Sequence, residues 1–403
     1  MSQVPVSTLT RPRPVHRPAE LLAAYLTGSF YFSSPYGTLL ADGVRTRVHG
    51  SPRRRAAAAA RALDEAAAGG VPDPVVVGAL GFRPDAEASL LVPAVVRRAA
   101  APSAAAAHPP GGQAPTGWTV RLQPEPDGYV GAVGRALDLI GQGALRKVVL
   151  ARCLKLTAAD PVAVTSLLAG LVRANPAAYA FAADVTAPGD RAPRTLVGAS
   201  PELLVARNGV TVTANPLAGS APRAGEASVD RARVAALRDS AKDLGEHAHT
   251  AGHVADVLGR FCTDLDVPER PEVIGTPTMW HLSTRISGRL RDPADPDCSA
   301  LGLAEALHPT PAVGGVPADR ALTAIAALEP QDRGYYAGMV GWTDRHGDGE
   351  WALSIRSAEV CDRTVRLFAG AGIVADSDPR AELAETAAKF RTLLGALGFE
   401  DPV

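Results

Sequence analysis

Short apolar runs separated by turn-forming residues dominate the 403-residue chain, and most are too short to be helices. In the first third they predict strands at 29–33, 37–41, 45–49, 75–80 and 89–98. Short helices are expected at 20–26 and at 52–68, the second stopped by Gly69-Gly70. Further on, helical spacing marks 128–141, 161–174, most of 226–263, 298–307 and 318–328. Strands are expected at 147–156, 178–184, 195–199, 203–207 and 210–214, with some strand within 273–290. Segments 336–342, 350–360 and 364–374 read as successive hairpin strands around the turns 346–349 and 362–363. A helix from Pro379 to about Leu397 closes the pattern, with proline suited to its first turn. Strands follow strands and helices follow helices in places. That order favours an α+β fold with antiparallel sheets over a doubly wound parallel one.

Composition narrows the picture. With 46% hydrophobic residues the chain can bury a large core, and a net charge of −1 gives no reason to expect nucleic acid or a membrane surface. Four scattered cysteines without a C-x-x-C fit a reducing cytosol, so a cytoplasmic protein is expected. The first 18 residues, rich in Pro and Arg, read as a loose tail without a secretory signal. Residues 99–117 hold hardly any large apolar side chain and read as a flexible excursion.

Candidate chemistry concentrates around 367–390. Gly370 and Gly372 strip two Cβ atoms from an apolar strand, which suits a ligand lying close to the backbone. Gly370-Ala-Gly372-Ile-Val-Ala375 also fits a dinucleotide fingerprint, but no helix starts within the run, so that reading is rejected. On the next helix Glu382, Glu385 and Lys389 share one face, as an exposed ion pair or as part of a site for a metal and an anion. Lys147 opens an apolar strand, either as a snorkelling edge lysine or, if buried, as a base. Glu202 is either solvated or, in an apolar pocket, a proton donor. Glu246, with Asp243 one turn back, offers carboxylates suited to Mg²⁺. His249 and His253 stand i, i+4, but no third ligand is evident and zinc is not expected. Arg356, inside a predicted strand, either faces solvent or grips a carboxylate.

Taken together, the strings LRKVVLAR at 145–152, GASPELL at 198–204, PLAGSAPR at 216–223, KDLGEH at 242–247, PTMWHLST at 277–284, LHPTPAVGGVP at 307–317, GEWALSIRSAEV at 349–360, LFAGAGIV at 367–374 and ETAAKF at 385–390 resemble the chorismate-utilising enzymes. Within them the chain looks like the isochorismate synthases of siderophore biosynthesis. The resemblance implies one catalytic domain over 19–403, with parts 19–122 and 123–400, built as a large, mostly antiparallel β-sandwich surrounded by helices. It implies Mg²⁺-dependent conversion of chorismate to isochorismate, with Lys147 as base, Glu202 as acid, and Glu246 and Glu385 as metal ligands. Gly219, Ser220, His281, Tyr336, Arg356, Gly370 and Lys389 match substrate-contacting positions, and Asp243 and Glu382 stand behind them. A monomer without a glutaminase partner is expected. Two other readings are a salicylate synthase, which would go on to eliminate pyruvate, and a chorismate-binding homologue without activity. Gly314 replaces a bulkier small residue of the family's loop, which would loosen the wall near the reacting carbon.

Overall fold

The structure is a computed structural model and describes residues 16–399 apart from 53, 87 and 104–116. The expected tail up to residue 15, and most of the 99–117 excursion, lie outside the described residues.

Among the described residues the strands form antiparallel sheets of ten, nine and three strands, consistent with the α+β reading. The ten-stranded sheet runs Gly315–Val316, Lys147–Thr157, Thr364–Ile373, Ser357–Cys361, Arg194–Ser200, Tyr179–Asp184, Phe30–Ser34, Gly37–Asp42, Val95–Ala99, with Thr119–Gln123 also paired to Lys147–Thr157. The nine-stranded sheet runs Cys262–Asp266, Ile286–Leu290, Thr211–Asn215, Leu203–Asn208, Gly349–Leu353, Met339–Asp344, Val75–Leu80, Ala88–Val92, Thr46–Arg47. Leu217–Pro222, Met279–Ser283 and Glu272–Gly275 make the small sheet.

The two large sheets face each other. Phe30, Phe32, Phe181 and Leu196 of one pack with Val75, Val77, Val340 and Trp342 of the other. Alternate residues point the opposite way, because strand side chains alternate between faces. Tyr31 and Leu40 meet the helix Val164–Ala174 and the end of Pro379–Ala396, through Leu167, Leu168, Leu171 and Leu393. Val76 and Leu80 meet the helices Arg55–Ala68 and Ala300–Leu307. Burial on both faces explains why these strands read as continuous apolar runs rather than alternating ones. Each large side chain so buried contributes about 1.5–3 kcal/mol.

Four departures from the expected elements matter. The single strand expected at 89–98 is two, Ala88–Val92 and Val95–Ala99, in different large sheets. Pro93 between them has no N–H to continue a ladder. The strand expected at 350–360 is likewise divided, into Gly349–Leu353 of one sheet and Ser357–Cys361 of the other. The chain crosses between sheets at 354–356, and Arg356 takes φ +50° there. Arg356 is therefore at a crossover and not within a strand. Residues 336–338 precede their strand, which begins at Met339, and Ala337 has φ +59°. The helical stretch 226–263 breaks at Ser240 into Ala227–Asp239 and Ala241–Phe261, ending in the strand Cys262–Asp266.

Candidate active site

The cleft opens where the Lys147 and Gly372 ends of their strands, the crossover at Arg356 and the small sheet converge. Its cavity is about 590 Å³ including the open mouth. Glu202, Gly219, Ser220, Glu246, His281, Tyr336, Arg356, Gly370, Glu385 and Lys389 all line it, with Val149, Leu217, Val313 and Ile355 as apolar wall. Sequence reasoning had no signal for those four: nothing separates them from ordinary core residues. Asp243, Glu382 and Lys147 are not on the lining.

The acidic and basic groups arrive as pairs. Ser240 caps the helix Ala241–Phe261 by accepting from the Asp243 amide at 3.2 Å, which starts the turn that presents Glu246. Glu246 Oε1 lies 3.0 Å from Lys147 Nζ, and Lys147 is fully buried. The lysine thus stands one layer behind the cavity wall, and its ammonium has no well-aligned hydrogen bond. Gly372 is what lets the pair exist. A Cβ there would fall 2.1 Å from Glu246 Oε1 and 3.2 Å from Lys147 Cε.

Asp378 caps the helix Pro379–Ala396, accepting from the Ala381 amide at 2.8 Å. One turn spaces Glu385 and Lys389, whose charges meet at 2.6 Å. Lys389 also donates to the Gly370 carbonyl at 2.8 Å, and Ser220 donates to Glu385 at 3.1 Å. Burial alone would raise the Glu385 carboxyl, but Lys389, Lys242 and Ser220 outweigh it and hold its pKa below the ordinary value. Glu382 is buried and paired with Lys242 at 2.6 Å; burial and the nearby Glu385 charge raise its pKa. Asp243 is raised by burial too, against a 2.5 Å hydrogen bond from Ser240.

Glu202 stands apart from these carboxylates. It is buried, and one oxygen accepts from the Leu217 amide at 3.2 Å. Burial pushes its pKa up to about 8, although the Leu217 amide, Lys147 and Arg356 all pull it down. It is a carboxylic acid at neutral pH. Nearby, burial and the charges of Arg356 and Lys389 keep His281 neutral. Its Nε2 lies 3.5 Å from Arg356 Nη2. The Tyr336 ring stacks on Phe368 at 5.1 Å, and burial raises its phenol to about 12. Gly219 sits at a bulge in the pairing of Leu217–Pro222 with Met279–Ser283, at φ +73°. The bulge offsets Ser220 against His281 and brings its hydroxyl to Glu385. His253, by contrast, contacts the Leu307 carbonyl at 3.1 Å. Gly314 has ordinary room: a Cβ there would meet nothing closer than 3.4 Å.

The arrangement can hold a dianionic molecule between Arg356 and Lys389, donate a proton from Glu202, and offer two carboxylates to a hard cation. Comparison with known proteins identifies the family. Residues 80–398 match the family model described as chorismate binding enzyme. The chain is 46% identical over 386 residues to isochorismate synthase DhbC of Bacillus subtilis, covering 94% of this chain and 96% of the relative. Isochorismate synthase EntC of Escherichia coli K12 is 36% identical over 390 residues, covering 94% and 97%. The solved structure of DhbC from Bacillus anthracis superposes with a TM-score of 0.90 at 42% identity, covering 94% of this chain and 99% of that one. For MenF, the menaquinone-specific isochorismate synthase of Escherichia coli, the TM-score is 0.80 at 26% identity, covering 96% and 93%. A family-model match over residues 80–398, with a relative 46% identical over 94% of the chain, means that this protein belongs to the chorismate-binding enzyme family.

Proposed function

We propose that this protein is an isochorismate synthase that adds water at C2 of chorismate while the C4 hydroxyl leaves. The observation that carries the reading is Glu202, a carboxyl buried in the cavity wall whose pKa burial raises to about 8 although Lys147 and Arg356 pull it down, so that it keeps its proton at neutral pH. Hydroxide is a poor leaving group, and a proton held at Glu202 meets that need. The attacking water must in turn lose a proton, and Lys147 is the group proposed to take it. Water enters and water departs, so the reaction is an isomerisation. For Lys147 to accept that proton it must present a neutral amine, and the Glu246 carboxylate, which now lies 3.0 Å from Nζ, must move off it. Arg356 and Lys389 are proposed to hold the two substrate carboxylates, with His281, Tyr336, Gly370, Gly219 and Ser220 shaping the pocket.

Mg²⁺ fits the residues present. Among the described residues no three of His, Cys, Asp and Glu converge on a metal position. Glu246 and Glu385 both line the cavity. Two carboxylates completed by water and substrate oxygens are the donor set Mg²⁺ accepts. When bound, the ion would neutralise a substrate carboxylate and fix the ring between acid and base. The likeness to DhbC supports a place in 2,3-dihydroxybenzoate and catechol siderophore synthesis.

The test is chromatography of products from chorismate and Mg²⁺ at neutral pH, with and without chelator. A chelator-sensitive mixture of chorismate and isochorismate is expected, and Lys147→Ala and Glu202→Ala should lose turnover while still binding substrate. Salicylate with an equal amount of pyruvate would replace the proposal with a salicylate synthase. Absence of turnover with any divalent ion would leave a chorismate-binding protein.

A further inference from the structure

The cavity depends on an ion pair that does not touch its contents. The short strand Gly315–Val316 pairs with Lys147 and Val148, and the Gly314 carbonyl still accepts from the Val149 amide at 2.8 Å. Before that point the chain turns away, and its loop supplies Ala312 and Val313 to the cavity wall. The edge of the Lys147–Thr157 strand is thereby left without a neighbouring strand at the Val149 carbonyl and the Ala151 amide. Both groups are buried, and an unpaired backbone group there is costly. Two side chains take the missing strand's place. Glu329 Oε1 accepts from the Ala151 amide at 2.7 Å, and Arg333 Nη2 donates to the Val149 carbonyl at 2.8 Å.

Arg333 does more than finish the ladder. Its Nη1 donates to the Val313 carbonyl at 2.7 Å, its Nε donates to Glu329 Oε2 at 2.9 Å, and its own carbonyl accepts from the Tyr336 amide at 2.9 Å. The guanidinium lies 4.2 Å over the Phe82 ring and is 2% exposed. Val149, Val313 and Tyr336 belong to three separate walls of the cavity, and one residue binds all three. Arg333 itself is not on the lining. We propose that Arg333, oriented by Glu329, is the positioning residue for this site: its planar fork sets the distance between the strand carrying Lys147 and the loop that supplies Ala312 and Val313 to the cavity wall. A lysine cannot replace it, because one ammonium cannot serve a bidentate carboxylate and two carbonyls in diverging directions.

The turnover arm of the test rests on the proposed isochorismate synthase reaction. Arg333→Lys keeps a cation for Glu329 and removes the fork. Wild type and variant are compared for melting temperature, kcat per folded molecule, KM for chorismate, and amide hydrogen exchange of segments 147–152 and 309–316. The expected result is a folded variant with kcat down by roughly 30- to 100-fold, the range for a wall displaced by about 1 Å, and KM changed by less than about threefold. Exchange in both segments rises. Methylguanidinium should restore part of the kcat of Arg333→Ala and nothing to Lys147→Ala. A kcat per folded molecule within threefold of wild type would make Arg333 merely structural and overturn the proposal. If Arg333→Lys does not fold, Glu329→Gln is judged by the same criterion, since it keeps an oxygen for Ala151 and loses the charged pair. A wild type that makes no isochorismate would sink the proposed reaction. Hydrogen exchange then decides the positioning claim alone, and unchanged exchange in 309–316 refutes it.

Discussion

Replacing Gly372 by alanine should separate geometry from stability at this site. The added Cβ would stand 2.1 Å from Glu246 Oε1 and 2.7 Å from its Cδ, where ordinary contact begins at 3.4 Å. The carboxylate must therefore withdraw by about 1.3 Å, and its 3.0 Å pairing with Lys147 is lost in the process. What gives way is the far end of a flexible side chain at the edge of a cavity, not backbone. The fold should survive with a melting temperature lower by a few degrees at most. Catalysis should not survive as well. Misplacement of a reacting or ligating group by about 1 Å costs roughly 10²-fold, or about 2.7 kcal/mol in the barrier. Gly370→Ala is the control on the same strand and the same face. Its Cβ would meet the Leu150 carbonyl, the Tyr336 hydroxyl and Val149 Cγ1, each at 3.2 Å, so neighbours need yield only a few tenths of an ångström. Its kcat should fall by less than about tenfold. Steady-state kinetics at saturating chorismate and Mg²⁺, with calorimetric melting, measure both. A Gly372→Ala enzyme within threefold of wild type would refute the proposed part of the Glu246 carboxylate in the reaction. So would a loss of activity that merely follows unfolding.

The raised pKa of Glu202 makes two pH predictions. Its folded value of about 8 lies above the unfolded value of 4.5, so its contribution to stability is intact below 4.5 and is lost as pH rises through 8. The melting temperature of Glu202→Gln minus that of wild type should therefore grow between pH 5 and 9, and a flat difference would show that the carboxyl is not held protonated. In the active enzyme kcat/KM should fall above pH 8 as the acid loses its proton, and a profile level to pH 9.5 would exclude it as proton donor. Arg356→Gln should raise KM by roughly 10- to 100-fold, the worth of about 1.5–3 kcal/mol for a charge-assisted hydrogen bond, with a smaller effect on kcat. Titration of chorismate into the variant checks this, and unchanged affinity would place the substrate carboxylates elsewhere. Removal of divalent ions should abolish turnover while lowering the melting temperature by a few degrees at most, since Lys147 and Lys389 already pair with Glu246 and Glu385. Scanning calorimetry with and without chelator tests that.

How much of this was legible beforehand divides along the range of the interactions. Strands buried on both faces, such as Val75–Leu80, could be placed to the residue because their apolar runs end at turn residues. The i, i+4 spacing of Glu385 and Lys389 is also local, and the helix delivers it as read. Sheet membership is not local. The runs 89–98 and 350–360 look continuous, yet each belongs to both large sheets, and only the pairing partners distinguish the halves. Leu217–Pro222 was not expected as a strand, because its Gly219 bulge and terminal proline hide the periodicity. The most consequential misreading was the continuous strand expected to hold Arg356. Within a strand, a lone charge can be turned to solvent at no cost. At a crossover with φ +50° and nine-tenths buried, it has no solvent to turn to. Its cost must be recovered from a partner, and His281, kept neutral, cannot balance a charge. Glu385 favours the charge from a distance, but a buried guanidinium at the wall of a cavity with no ion pair among the described residues is a demand for an anion. The irregular backbone that makes Arg356 unreadable as a strand residue is thus the same feature that sets it on the wall of the cavity.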